Sequence, residues 1–252
     1  MWRCICSDPW LSATICLRHG RACSKENAFS NRYAGPSARN GISEDIVRIN
    51  KGQFNAGDIV ASDAVETKSV VPSQTFFAGA TGWAVISDID DTIKVTQTTS
   101  PTGALKTTFA EEPQAVVGMP ELYTHIKERL SNPPFFYLSA SPYLLYPFLR
   151  EFRDHFYPPG TMILRDAPWG GLAGLLLSLT QGTQAYKVDR MEKIYPWLPN
   201  KKFLAIGVST QLIYRYSRML SDVRTPLKRI LRPMARCIVT IKVGLAPYLS
   251  ER

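Results

Sequence analysis

Residues 83–96 read WAVISDIDDTIKVT, and the rest of the chain is best understood from this stretch. A short apolar run, residues 84–86, leads directly into Asp88, Asp90 and Asp91. Like charges this close repel, so each carboxylate must be solvated, paired or bound to a cation. A metal-assisted phosphoryl-transfer site needs such a cluster. The alternative is a solvated, Asp-rich turn that caps the next element.

The pattern of apolar and polar residues after residue 82 predicts an α/β fold. Apolar runs typical of strands alternate with segments of helical periodicity, which indicates βαβ units and a parallel sheet covered on both faces. We therefore expect a three-layer, Rossmann-like sheet with its active site beyond the carboxyl ends of the strands, where the acidic cluster falls. The predicted strands are residues 84–86, 135–138, 162–164 and 203–206, and the predicted helices begin at Gly118, Pro142 and Tyr186.

The chain divides into three predicted regions. Residues 1–80 show no sustained period and are expected to be poorly ordered or the remnant of an upstream domain, with too little patterned sequence to form that domain. Residues 82–211 are the predicted catalytic domain, and residues 212–252 a basic tail of uncertain structure. Within the domain, residues 94–112 fit a flap or long loop. The apolar residues 172–179 fit either core or a lipid-accommodating wall.

The net charge of +9 is unevenly distributed. Residues 212–252 carry nine basic and two acidic side chains, so the remainder is nearly neutral. Apolar residues recur in the tail at helical spacing up to a break at Pro226. The tail is therefore either a basic amphipathic helix on an anionic membrane or the product of an alternative exon that was never selected for folding. No nucleic-acid partner is expected.

The cysteine spacing and the hydropathy of the chain indicate where in the cell the protein is expected. Four of the five cysteines fall in the first 23 residues at spacings that match no zinc-ligand pattern, so reduced thiols are expected. No run approaches the roughly 18 apolar residues of a membrane span. We expect a cytoplasmic protein that is peripheral at membranes. The arginines near the N-terminus leave mitochondrial targeting as an alternative.

Five residues are candidates for the chemistry of the site. Asp88 and Asp90 are spaced i, i+2, so on a strand they would point to one face. Phosphoryl transfer through an aspartyl-phosphate needs such a pair, one as nucleophile and one as acid and base, with Mg²⁺ to neutralise charge. Thr92 can hold the turn or bond a carboxylate. Ser139 and Lys187 could bind a phosphate, although alone they are more often a helix cap and a surface lysine.

These pieces together resemble the four motifs of the haloacid-dehalogenase-type phosphatases. The wording is most similar to the catalytic domain of the actin-patch-associated phosphatidate phosphatases, over residues 83–211. The motifs that carry the resemblance are VISDIDDTIK (85–94), GMPELY (118–123), FFYLSASPYLLYPFL (135–149), YKVDRMEKI (186–194) and FLAIGVSTQ (203–211).

The resemblance implies a role for each matching residue. Asp88 would be the nucleophile and Asp90 the general acid, then base. Ser139 would orient the phosphoryl group and Lys187 would stabilise its charge. Mg²⁺ would be bound by the Asp88 carboxylate and the Asp90 carbonyl. Members of the family convert phosphatidate to diacylglycerol, which implies a phosphatidate-containing membrane surface and cortical actin or endocytic proteins as partners.

One departure from the family pattern concerns the metal site. The family has Gly-Asp-Ser after its fourth strand, whereas this chain has Val208 in place of the aspartate, and valine cannot ligate Mg²⁺. We therefore expect the fold to be incomplete at its C-terminal side. Two functions stay open: a Mg²⁺-dependent phosphatidate phosphatase whose activity Val208 puts in question, and a catalytically silent lipid- or phosphate-binding scaffold of the same fold.

Overall fold

The computed structural model describes residues 21–24, 32–33, 55–64, 73–166, 182–207 and 240–245 of the 252-residue chain. The chain separates into two compact units, Met1–Ala80 and Thr81–Arg252. Each unit has its own sheet and is described by itself.

The first unit contains an antiparallel sheet with the strand order β2-β1-β3-β4. The sequence predicted poor order throughout residues 1–80, whereas short strands are described there. They are too short to give a sustained alternation, which is why periodicity did not reveal them. The strands are β1 (Arg21–Ser24), β2 (Arg32–Tyr33), β3 (Ile59–Ala64) and β4 (Ser73–Phe76).

The second unit is built on a sheet with the order β7-β6-β5-β8-β9. Four of its strands are parallel, and β9 lies antiparallel to β8 at the edge. Together with the flanking helices this confirms the predicted α/β fold. The strands are β5 (Trp83–Asp88), β6 (Phe135–Pro142), β7 (Thr161–Arg165), β8 (Lys202–Gly207) and β9 (Thr240–Leu245).

Four helices are described in the second unit, and three of them match the predicted helices. They are α1 (Pro101–Phe109), α2 (Met119–Arg129), α3 (Tyr146–Phe156) and α4 (Thr183–Ile194). Short 3-10 turns precede α3 at Tyr143–Leu145 and follow α4 at Tyr195–Trp197.

Helix α1 corrects the expectation that residues 94–112 form a long loop. The hydroxyl of Ser100 accepts a hydrogen bond from the Gly103 N–H at 3.1 Å, and Pro101 occupies the first turn, where its missing N–H costs nothing. This start signal is visible in the sequence. The threonines that follow have low helix propensity and concealed it.

The core explains why the central strands read as continuous apolar runs. All eight residues of β6 are buried, as are the four central residues of β5. A parallel strand covered on both faces needs apolar side chains at successive positions. Tyr123 and Tyr137 are fully buried beside this sheet, with ring centroids 6.4 Å apart.

The register of the sheet brings three strand ends together. Asp88 at the end of β5 pairs with Leu138, so Ser139 follows immediately on the neighbouring strand. On the other side Ser87 pairs with Ile206, and Gly207 comes next. The carboxyl ends of β5, β6 and β8 therefore meet at one edge of the sheet.

Three expectations fall on residues that the structure does not describe. They concern the apolar residues 172–179, Val208, and the helical pattern of the tail up to residue 230. Among the described helices, none combines the length and hydrophobicity that crossing a bilayer requires.

Candidate active site

Asp88 forms a buried ion pair with Lys187. The lysine lies in the second turn of α4, and its Nζ is 2.5 Å from Asp88 Oδ1. The Ile89 N–H donates to the same oxygen at 2.9 Å, and the Thr92 hydroxyl donates to Oδ2 at 3.2 Å. Each carboxylate oxygen of Asp88 thus has a donor.

The electrostatics of Asp88 explain why a cation must lie beside it. Burial raises the pKa of Asp88, and the nearby charge of Asp90 raises it further. The charge and hydrogen bond of Lys187 act in the opposite direction and favour the ionised form of Asp88. Lys187 therefore helps to hold a buried carboxylate in the form that a nucleophile needs.

Asp90 is oriented by hydroxyl groups. The Ser139 hydroxyl donates to Asp90 Oδ2 at 2.5 Å, and the Ser141 hydroxyl lies 3.4 Å from the same oxygen. The Thr96 hydroxyl donates to Oδ1 at 3.0 Å. Ser139 is positioned in turn by the Ser141 N–H, which donates to its oxygen at 2.9 Å. Neutral donors on both oxygens orient the carboxyl group without neutralising it.

The third carboxylate of the cluster, Asp91, organises the loop after β5. It adopts a left-handed backbone conformation, with φ of 54°. Its side chain accepts hydrogen bonds from the N–H groups of Thr96 (2.9 Å), Gln97 (2.7 Å) and Thr98 (2.8 Å), and from the Thr98 hydroxyl (2.5 Å). Partial burial raises the pKa of Asp91, but the bonds from Thr98, Thr96 and Gln97 outweigh it and leave the pKa below its usual range.

The backbone of Asp88 is fixed from inside the core. The Ser87 hydroxyl donates to the Asp88 carbonyl at 2.7 Å, and the Tyr123 hydroxyl lies 2.5 Å from Ser87 Oγ. Because Ser87 has one proton, Tyr123 is the donor in the second bond. Burial raises the pKa of Tyr123 far above its usual value, so the phenol keeps this proton.

The structure brings together all five residues that the sequence singled out: Asp88, Asp90, Thr92, Ser139 and Lys187. Their chemical roles stay predictions. Sequence reasoning missed Thr96, Ser141 and Lys94, which lie in or behind the same network. Ser141 had a signal, since it is the second hydroxyl of the Ser-Ala-Ser sequence at a strand end. Lys94 and Thr96 look like ordinary polar loop residues.

The Asp88 carboxylate and the Asp90 main-chain carbonyl are oxygen ligands that fit a magnesium ion. In the described ranges no group of three or more His, Cys, Asp or Glu side chains converges. Mg²⁺ in phosphate-handling sites is usually held by one or two carboxylates together with water and substrate oxygens, so Asp88 would supply the charged ligand and the Asp90 carbonyl a neutral one. Gly207, which precedes Val208, approaches Asp88 closely, since a Cβ on this glycine would lie 3.4 Å from the Asp88 Cβ.

Paired carboxylates at the carboxyl edge of a parallel sheet are an arrangement suited to a phosphatase-like hydrolase. Comparison with protein families agrees: the model of the family "Phosphatidate phosphatase APP1, catalytic domain" matches residues 83–231, more than half of the chain. The chain belongs to this family. The match continues past residue 211, where the likeness was expected to end.

A curated relative supports the same assignment. The chain is 29% identical over 143 residues to the phosphatidate phosphatase APP1 of Saccharomyces cerevisiae. The aligned segment covers 54% of this chain and 24% of the yeast protein. The chain therefore spans about a quarter of the length of that relative.

Proposed function

We propose that this chain hydrolyses the phosphate monoester of phosphatidate and releases diacylglycerol and inorganic phosphate. The observation that carries the proposal is the buried Asp88–Lys187 pair, 2.5 Å apart, beside the hydroxyl-held Asp90. Family membership favours phosphatidate over other phosphate esters, because the curated relative carries that name.

The proposed reaction has two steps that use the two carboxylates differently. In the first, Asp88 attacks phosphorus, the ester P–O bond breaks, and Asp90 gives its proton to the departing diacylglycerol oxygen. In the second, Asp90 takes a proton from water, which attacks the aspartyl-phosphate and restores the Asp88 carboxylate. Lys187 would hold the phosphoryl oxygens by its charge. Ser139 has one hydroxyl proton, so it would turn that proton from Asp90 to a phosphoryl oxygen when substrate binds.

The proposal includes Mg²⁺ as cofactor. The Asp88 carboxylate and the Asp90 carbonyl would hold it. When bound, the ion supplies positive charge that offsets the repulsion between phosphate and carboxylates.

The lipid substrate implies where the protein acts. Phosphatidate is a membrane lipid, so we propose a cytoplasmic protein that works peripherally at a phosphatidate-containing surface. Association with cortical actin or endocytic proteins is part of the same proposal and is supported by the family resemblance alone.

The test of the mechanism is Asp88→Asn. Phosphate release from phosphatidate in detergent micelles with Mg²⁺ is expected to fall at least about a thousandfold, because the amide cannot act as the nucleophile. The matched control is Asp58→Asn in the first unit, which should keep the full rate. Glycerol 3-phosphate, assayed in parallel, separates lipid from soluble substrates. Equal rates for the wild type and Asp88→Asn would overturn the mechanism.

Val208 favours the second candidate, a silent lipid- or phosphate-binding scaffold. It follows Gly207, which lies against Asp88, and its side chain has no oxygen to offer a metal. The discriminating variant is Val208→Asp, assayed for Mg²⁺-dependent phosphate release and for sedimentation with phosphatidate vesicles. Release that rises in the variant supports the enzyme. Background release in both proteins with undiminished vesicle binding supports the scaffold.

A further inference from the structure

Lys94 is a charged side chain in the interior beside the candidate site. It is 1% exposed, less than almost any lysine in a folded protein. Its Nζ lies 3.3 Å from the Val95 carbonyl, 3.3 Å from the Thr107 carbonyl and 3.5 Å from Thr96 Oγ1. The Phe148 ring centroid is 5.6 Å away. Burying an ammonium is costly, so its position calls for an explanation beyond packing.

The contacts of Lys94 determine which way the Thr96 hydroxyl points. An ammonium has donors and no lone pair, so Thr96 Oγ1 accepts from Nζ. The single proton of the hydroxyl is then directed to Asp90 Oδ1 at 3.0 Å, closer than the alternative acceptor, the Lys94 carbonyl at 3.4 Å. Thr96 is itself 1% exposed, so water does not compete for this bond.

The same lysine connects this network to α1. The Thr107 carbonyl near the end of α1 accepts from Lys94, and the Thr107 hydroxyl donates to the Thr96 carbonyl at 2.8 Å. The loop segment that carries Thr96 is thus bonded to α1 twice. Its position relative to Asp90 depends on both bonds.

We propose that Lys94 is a positioning residue for Asp90: through Thr96 it holds Oδ1 in a buried hydrogen bond and so fixes the orientation of the carboxyl group. The proposal rests on the acid–base role of Asp90 in the proposed function. Oδ2 is the oxygen that Ser139 contacts, so it faces the residue predicted to orient the phosphoryl group. Lys94 itself touches no reacting atom.

The first test is structural and needs no activity. Crystal structures of the full chain are compared for the wild type, Lys94→Met, Thr96→Val and Thr96→Ser. In Lys94→Met and Thr96→Val the Asp90 carboxylate is expected to leave its present orientation, and in Thr96→Ser to keep it. Thr96→Val preserves side-chain volume, so it tests the idea even if Lys94→Met fails to fold. An Asp90 that stays in place in Thr96→Val overturns the proposal.

The matched control is Lys201→Met. Lys201 is also a buried lysine bonded to backbone carbonyls, those of Thr81 at 2.7 Å and Trp83 at 3.5 Å. These atoms lie where β5 begins, at the opposite edge of the sheet from Asp88. If losing any buried lysine disturbed the Asp90 carboxylate, its orientation would change in both variants. If Lys94 positions Asp90, the orientation changes in Lys94→Met alone.

The second test uses kinetics. Lys94→Met and Thr96→Val should each lower kcat at least about tenfold with KM changed less than about twofold, because misplacing a catalytic group slows the chemical step. The double variant should be no slower than either single one, since both break the same link. Thr96→Ser and Lys201→Met should keep the wild-type kcat. A tenfold loss in Lys201→Met, or additive losses in the double variant, would count against positioning.

Failure of the proposed function is distinguishable from failure of this inference. If the wild type and Asp88→Asn release phosphate equally, the enzyme proposal falls. The crystallographic comparison then still decides whether Lys94 orients Asp90.

Discussion

At the scale of single residues, three neighbouring aspartates have different hydrogen-bond partners. Asp88 pairs with a lysine, Asp90 is held by hydroxyls, and Asp91 binds the N–H groups of the loop that follows. The division follows from the donors around each one. Several N–H bonds to a carboxylate stabilise its ionised form and fill its acceptor sites. The role of Asp91 is therefore structural.

We predict that Asp91→Asn lowers the free energy of unfolding by about 1–3 kcal/mol, because an amide nitrogen replaces one accepting oxygen and meets N–H donors. Asparagine tolerates the left-handed φ of 54°, so the loss would report the hydrogen bonds and not backbone strain. Urea unfolding measures it. Asp58→Asn is the control, since Asp58 accepts from the exposed Asn55 N–H at 2.7 Å. Equal losses in both variants would contradict the prediction.

At the scale of elements, the connection between α3 and β7 packs directly against the start of β6. Buried Arg153 in α3 donates to the Gly160 carbonyl at 2.5 Å, and the Tyr137 hydroxyl of β6 donates to the Pro158 carbonyl at 2.7 Å. These bonds bring Gly160 against the backbone of Phe135, where β6 begins. Only a residue without a side chain fits there.

We predict that Gly160→Ala destabilises the protein by about 1–3 kcal/mol through overpacking. A Cβ at this position would lie 2.4 Å from the Phe135 carbonyl oxygen and 2.9 Å from its carbon, and a strand backbone cannot yield as a flexible side chain can. Thermal unfolding measures the loss. The control is Gly79→Ala, where the nearest atom would be the Ala56 Cβ at 3.3 Å and a much smaller effect is expected. A Gly160→Ala protein as stable as the wild type would refute this packing.

At the scale of the whole second unit, the two edges of the parallel sheet carry different charged groups. The carboxyl edge gathers aspartates with Lys187 among them. The opposite edge has Lys201, which joins the start of β8 to that of β5 through carbonyls. Burial lowers the pKa of Lys201 below 10.5.

This pKa predicts how stability changes in alkali. Since the folded state gives up the Lys201 proton at a lower pH than the unfolded state, the unfolded chain binds more protons between the two pKa values. Stability from this residue therefore rises with pH up to 10.5. We expect the free energy of unfolding of the wild type, relative to Lys201→Met, to increase as the pH rises toward 10.5.

Urea unfolding of both proteins across that pH range is the measurement. Buried tyrosines also affect stability at the upper end of this range, because burial raises the pKa of Tyr195 to about 12 in the folded state, whereas phenols of the unfolded chain titrate near 10. They are present in both proteins and cancel in the difference. A difference that stays constant or falls with pH would contradict the prediction.

The sequence by itself determined the parallel strands, three of the helices and the edge where the acidic cluster lies. These follow from local periodicity and from the rule that parallel strands present their carboxyl ends together, which points to Asp88 and Ser139. Lys187 lies in a helix, and the family resemblance singled it out. The cluster 83–96 was correctly placed for the same reason.

Only the tertiary structure decided which donors face each aspartate, and that Lys94 is buried behind Asp90. A carboxylate's role depends on the donors that face it, and those donors come from segments far apart in sequence, such as Ser139 and Lys187. Lys94 and Thr96 carry no sequence signal, because the contacts that bury them are made only when α1 packs against the loop after β5. Periodicity describes one segment at a time, whereas hydrogen-bond partners are chosen by the folded chain as a whole.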